Sequence, residues 1–111
     1  MSIFEKFTSI EYPVFESVRT LPAETPEDVR SLRAQAVKVL EEASELSEAA
    51  KALVKADGTE SGPAARSAML AEMADLTQAL VNLKYGLNVT DEELAEAAWD
   101  CWERNQERGR W

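Results

Sequence analysis

Along most of the chain, apolar residues recur every three or four positions, the spacing of amphipathic helices and not of strands. Val29, Leu32, Ala36, Leu40, Ala43, Ala50 and Val54 fall on one stripe at about 100° per residue. That stripe predicts a long helix from Pro26 to about Ala56. Thr25 can cap its start, Pro26 suits the first helical position, and Glu27 and Asp28 stand where the helix dipole favours acids. The run "DGTESGP" at 57–63 ends it. A second helix is predicted from about Pro63 to Tyr85, with Gly86 as its C-terminal cap. Met69, Met73, Leu76, Leu80 and Leu83 give it one apolar face, and Leu70, Ala74, Val81 and Tyr85 another. A helix apolar on two sides reads as a central one. Thr90 and Glu93 form a capping box for a last helix over 91–107, and Gly109 follows.

Residues 1–24 are less regular. "IFEKF" and "YPVFESV" are short amphipathic pieces whose Phe4, Phe7, Tyr12 and Phe15 are expected to pack on the rest. The expectation is one all-α domain over residues 1–111. It is a helical bundle of two long central helices, a C-terminal helix and short N-terminal helical pieces, with residues 1–27 as an extension packed on the bundle.

Composition narrows the chemistry. The chain has 111 residues, 45% of them apolar, which suits a single folded core. A net charge of −9 repels nucleic-acid backbone, so DNA and RNA are not expected as partners. No apolar run has the length of a membrane span. A lone cysteine, Cys101, and the lack of a signal peptide point to a reducing cytoplasm. Cys101 itself reads as a small buried apolar residue. The absence of histidine removes the usual zinc sites and every His-based catalytic triad.

Chemistry must then come from carboxylates, lysine, arginine, hydroxyls or a bound group, and carboxylates are the most concentrated of these. Glu41, Glu42, Glu45 and Glu48 crowd one helical stretch, with Lys38 one turn before Glu42. Alone, such a cluster reads as a solvated face. The following helix carries a narrow polar stripe of Glu72, Asp75, Gln78 and Asn82 between its apolar faces, with no matching chain of bases. Glu42 and Glu45 are three apart, as are Glu72 and Asp75. If the two helices pack antiparallel, these pairs face one another, and a hard divalent cation makes their convergence tolerable. Mg²⁺ is the natural occupant and Mn²⁺ an alternative. Di-iron bundles use Glu-x-x-His, which this chain lacks. An oxygen-only magnesium site points to a polyphosphate substrate and to hydrolysis.

Glu41-Glu42-Ala43-Ser44-Glu45 followed by Glu72-Met73-Ala74-Asp75 resembles the E-E-x-x-E … E-x-x-D signature of the all-α nucleoside triphosphate pyrophosphohydrolases. This is the MazG-like superfamily, which includes dimeric dUTPases, dCTP pyrophosphatases and phosphoribosyl-ATP pyrophosphatase. The ending "WERNQERGRW" is similar to the K-N-x-x-R-G close of small phage-type members. The resemblance covers roughly residues 28–111. It implies metal-dependent cleavage between the α- and β-phosphates, giving a nucleoside monophosphate and pyrophosphate. By position, Glu42, Glu45, Glu72 and Asp75 would be the metal ligands. Glu41 would be the accessory catalytic acid, contacting a second metal or orienting the attacking water.

Substrate contacts are implied for Lys38, Asn82, Arg104, Asn105 and Arg108. Lys38 is equally an i,i+4 ion pair to Glu42, and the arginines equally offset the dipole at a helix C-terminus. Trp99, Trp102 and Trp111 suit a core or interface as well as stacking on a base. Thr77-Gln78 departs from the aromatic and histidine of the phosphoribosyl-ATP branch. A pyrophosphohydrolase acting on nucleoside triphosphates is therefore expected, with phosphoribosyl-ATP hydrolysis as one alternative and a non-enzymatic acidic interaction protein as another. A two-sided apolar helix also predicts self-association, as a homodimer or a dimer of dimers.

Overall fold

The computed structural model describes the backbone of residues 26–109 and side chains from Leu32 to Gly109. The N-terminal pieces with their aromatics, the Thr25 cap and Trp111 lie outside these residues, as do the side chains of Pro26–Ser31. Three helices and no strand occur among the described residues: α1 (Pro26–Ala56), α2 (Gly62–Gly86) and α3 (Asp91–Glu107). None is long and apolar enough to cross a membrane. The chain divides into two compact units. Among the described residues, one holds residues 26–87 with α1 and α2, and the other holds residues 88–109 with α3.

The five residues between α1 and α2 make a tight connection, so the helices form an antiparallel hairpin, and they pack against each other. Gly58 takes a left-handed conformation at φ +75°, and the Thr59 amide donates to the Ala56 carbonyl. The Thr59 hydroxyl donates to that same carbonyl. Gly62 opens α2 where the chain passes close by, for a Cβ there would stand 3.1 Å from the Ala56 oxygen. Pro63 follows at the start of the helix, where its missing N–H does no harm.

The seam between α1 and α2 has its own rhythm. On α1 the buried and half-buried positions include Leu32, Gln35, Val39, Glu42, Leu46, Ala49, Leu53 and Ala56. On α2 they include Gly62, Ala65, Met69, Glu72, Leu76, Ala79, Leu83 and Gly86. Both series step by three and four in strict alternation, the 3.5-residue repeat of helices packed side by side. This overturns the stripe predicted for α1. Leu40 is 71% and Val54 79% exposed, while Glu42 is buried at 6%. Size, not hydropathy, explains the choice: Gln35, Glu42, Ala49 and Ala56 keep the repeat although an apolar count passes over them.

Two flanks follow from that seam, because one residue along a helix is a rotation of 100°. One residue before the seam lie Lys38, Glu41 and Glu45 on α1 and Asp75, Gln78 and Asn82 on α2. One residue after it lie Leu40 and Val54 on α1 and Leu70, Met73 and Leu80 on α2. In an antiparallel pair, the same rotation from the seam turns both helices towards the same side. The hairpin therefore has a polar side and an apolar side.

Of the second apolar face predicted for α2, Leu70 and Tyr85 are 48% and 43% exposed and Val81 is half-buried, while Met73 and Leu80 of the first face are 44% and 48% exposed. The left-handed residue after α2 is Asn88, at φ 55°, and not Gly86, which stays within the helix. Asparagine tolerates this conformation better than most residues. In the other unit, Thr90 Oγ accepts from the Glu93 amide and the Glu93 carboxylate accepts from the Thr90 amide, the expected capping box. Gly109 follows at φ +65°. Cys101 is exposed, against the expectation of burial; its sulfur accepts from the Asn105 amide at 3.5 Å.

Gly58→Ala should cost about 1–2 kcal/mol, the penalty of a Cβ in the left-handed region. Chemical denaturation of parent and variant would measure it. An unchanged midpoint would mean that this turn does not set the hairpin.

Candidate metal centre

Glu42 and Glu72 hold seam positions on facing helices, so their carboxylates are carried into the helix–helix contact instead of into water. Glu45, one turn after Glu42 and one residue before the seam, reaches the same point from the polar side. One carboxylate oxygen from each of Glu42, Glu45 and Glu72 lies within 4.8 Å of the others. Two calcium–oxygen bonds span up to roughly 5.2 Å and cover that limit; two magnesium–oxygen bonds of about 2.1 Å span roughly 4.2 Å, so around magnesium the carboxylates would draw together wherever they stand further apart. Within the cluster Glu42 is buried, Glu72 half-buried and Glu45 exposed.

Two atoms bear on whether a cation fits. Glu42 Oε2 and Glu72 Oε2 are both buried and lack a hydrogen-bond partner. A buried polar atom left unmatched costs about 1–3 kcal/mol, and more when charged. The neighbouring carboxylates deepen that cost. Their mutual repulsion raises the Glu45 carboxyl above its ordinary value, chiefly through a hydrogen bond with Glu72, then through the charges of Glu42 and Glu72. A divalent ion bound among these oxygens would relieve the repulsion that favours the protonated Glu45 carboxyl. The donor set, all carboxylate oxygen, matches a hard cation.

Lys38 supplies the nearby positive charge. Its Nζ lies 3.0 Å from Glu42 Oε1 and 3.8 Å from Glu41 Oε2. The hydrogen bond and charge of Glu42 hold the ammonium above its usual range. Of the two roles open for Lys38, the ion pair is thus formed. Glu41 is itself exposed and stands outside the three-carboxylate cluster.

Asp75 also stands outside the cluster and is exposed, yet it lines the same groove as Glu42. That groove, about 460 Å³, runs along the polar side and is walled further by Lys38, Gln35, Gln78 and Asn82. The Gln78 amide donates to Asn82 Oδ1 at 3.2 Å, and Asn82 is buried at 4% exposure. The polar stripe of α2 is therefore not simply wet, as a solubilising surface would be: Asp75 meets water, but Glu72 and Gln78 are half-buried and Asn82 is inside. Gln35 was missed by the sequence reading. Its signal was its place in the α1 repeat, one turn before Val39.

A larger hollow of about 710 Å³ lies at the loop end, between Leu53, Val54, Pro63 and Arg66. It offers one acid and one base, Asp57 and Arg66, and no converging set. Arg104, Asn105 and Arg108 belong to the other unit, where Arg104 sits in the last turn of α3 and Arg108 caps it. In the same helix Trp99 and Trp102 stack with ring centroids 5.1 Å apart, and the Trp99 indole donates to Glu103.

No known protein family, curated protein or solved structure matches this chain.

The raised Glu45 carboxyl carries a pH signature. Folding binds its proton more tightly than the unfolded chain does. Its contribution to stability is thus present below the ordinary value of about 4.5 and fades as pH rises through the raised one. Glu45→Gln keeps a hydrogen-bond donor for Glu72 and removes the charge. In chelator at neutral pH, the variant should melt above the parent, and the gap should close towards pH 4. Circular-dichroism melts across that range test this; a lower melting point at pH 7 would contradict it.

Proposed function

We propose that Glu42, Glu45 and Glu72, with Asp75 on the wall of the same groove, bind Mg²⁺ or Mn²⁺, and that the protein is a nucleoside triphosphate pyrophosphohydrolase of the MazG-like kind. The observation that carries the metal reading is the pair of buried, unpartnered oxygens on Glu42 and Glu72, inside a cluster of three carboxylates. Support for the substrate comes from the resemblance of the two acidic motifs and from an open groove that begins at the acids and continues past Lys38 to two amides.

When bound, the ion supplies Lewis-acid stabilisation of phosphate oxygens. The chain's own residues do the rest. Lys38 lies where it can exchange Glu42 for a phosphate oxygen as the ligand enters. Glu41, exposed beside the cluster, is the candidate base that takes a proton from the attacking water. Gln78 and Asn82 present amide groups further along the groove, where a sugar or base would lie.

Two measurements separate this reading from a merely acidic surface. Millimolar Mg²⁺ or Mn²⁺, at roughly a hundred times its dissociation constant, adds about 2.7 kcal/mol and should raise the melting temperature by about 10 °C. An unmoved midpoint would remove the metal site. Glu45→Gln and Asp75→Asn should each lower pyrophosphate release from nucleoside triphosphates by on the order of 100-fold or more while helicity stays unchanged. Retained turnover in either would cancel that residue's assignment. A metal-dependent melt with no pyrophosphate from any nucleoside triphosphate would keep the site and reject the enzyme.

A further inference from the structure

We infer that Lys38 is the resident counter-ion of the acidic cluster: paired with Glu42, it weakens the hold of the empty site on a bare divalent ion, and it leaves Glu42 for a phosphate chain, so that ion and polyphosphate bind together. The inference deepens the reading proposed above and rests on its metal site. Its starting point is how the two oxygens of Glu42 are divided. Oε1 takes the Lys38 ammonium at 3.0 Å, while Oε2 is buried and lacks a hydrogen-bond partner. A divalent ion held among Glu42, Glu45 and Glu72 must therefore share the Glu42 carboxylate with Lys38.

Two cations on one carboxylate repel each other. With the 3.0 Å pair on one oxygen and an ion–oxygen bond of about 2.1 Å on the other, they stand roughly 6 Å apart. Even at the dielectric constant of water, a single and a double positive charge at about 6 Å oppose each other by about tenfold in affinity. Removing the ammonium has a second effect of the same sign. The Glu42 side chain is only 8% exposed, and without Lys38 its charge would lack a partner until an ion arrived. The lysine thus holds the empty site back from a bare ion.

Lys38 is also placed to move. Its side chain is 56% exposed, so the ammonium reaches Glu42 from the groove and can withdraw without repacking the seam. Among the residues that line the groove it is the one base, beside Glu42 and Asp75. A longer contact to the exposed Glu41, at 3.8 Å, shows that the amine already spans two acids and is not locked on one. A phosphate chain entering the groove carries negative charge past these acids, and Lys38 is the side chain of opposite sign that it meets. Once the ammonium pairs with a phosphate oxygen, Glu42 turns its full charge to the ion. Each ligand then favours the other, because such coupling is reciprocal. A bare ion is opposed by Lys38, and a bare polyphosphate by the carboxylates; the two together are not opposed.

The test compares the full chain with Lys38→Met, which keeps a helix-favouring stem and removes the charge; Lys38→Gln repeats it should that variant unfold. In calorimetric titration with Mn²⁺ alone, Lys38→Met should bind at least tenfold tighter than the parent. Magnesium tripolyphosphate and a magnesium α,β-methylene nucleoside triphosphate carry the same kind of phosphate chain. The variant should bind each at least tenfold more weakly than the parent does. A residue that merely steadies the helix would shift all these affinities in one direction. Lys51→Met makes the same change of net charge at the exposed pair with Glu48, about 14 Å along α1 from Glu42, and should move each affinity less than threefold. Mn²⁺ bound equally or more weakly by Lys38→Met, or phosphate-chain binding that the variant does not lose, overturns the inference and leaves the metal site standing. Mn²⁺ bound by neither chain removes the site, and the inference with it.

Discussion

Two glutamates stand at positions where a seam of packed helices ordinarily holds leucine or alanine, and the rest of the hairpin is arranged around them. A charge moved from water into such a contact costs several kcal/mol unless something answers it, against a total stability of about 5–15 kcal/mol for a domain. Three answers are present or possible within a few ångströms. Lys38 takes one oxygen of Glu42. The hydrogen bond with Glu72 and the nearby charges favour the protonated form of Glu45, which lessens the local charge. The remaining buried oxygens are left for a cation, under the reading proposed above. Replacing Glu42 and Glu72 by apolar residues would make a better seam, so their presence is better explained by binding than by folding.

Much of this was legible in the residue order, and the misses have a physical pattern. Helix ends were clear because they depend on local chemistry: Gly58 in the loop, Pro63 at the start of α2, and the reciprocal Thr90–Glu93 bonds. The start of a left-handed turn was misplaced by two residues, from Gly86 to Asn88, because asparagine can also supply that conformation. The α1 stripe was misplaced by one residue, which rotates the whole helix by 100°. Counting apolar side chains favours Leu40 and Val54 over Gln35 and Glu42. Packing favours the second set, because a partner helix selects a 3.5-residue repeat and tolerates polar groups that find a use. Glu42, Glu45 and Glu72 still converge, because i,i+3 neighbours stay together whichever way the helix is turned, whereas Asp75 stands outside their cluster. What spacing alone did not resolve was depth: Glu42 and Glu72 point into the seam, while Asp75 points along the groove.

The seam also divides the labour of the hairpin. Residues one step before it are polar and line the groove with Gln78, Asn82 and Lys38. Residues one step after it are apolar and uncharged for most of their length. The same side chain could not serve both ends, because an acid moved by two positions would go from the groove to the apolar side. A single-residue slip between α1 and α2 would therefore separate the three carboxylates and misalign the apolar stripes together. Register is fixed by the short loop, where Gly58 and the close approach of Gly62 to Ala56 leave little room for adjustment.

This coupling bears on how firmly the acids can be held. A hairpin alone has a shallow core, and isolated helical pairs of this size are marginal. Carboxylates that repel one another would then spread the helices instead of waiting for an ion. What holds α1 and α2 together against that repulsion is the tight turn at 57–61, with its Thr59 amide on the Ala56 carbonyl, and the Lys38–Glu42 ion pair beside the cluster.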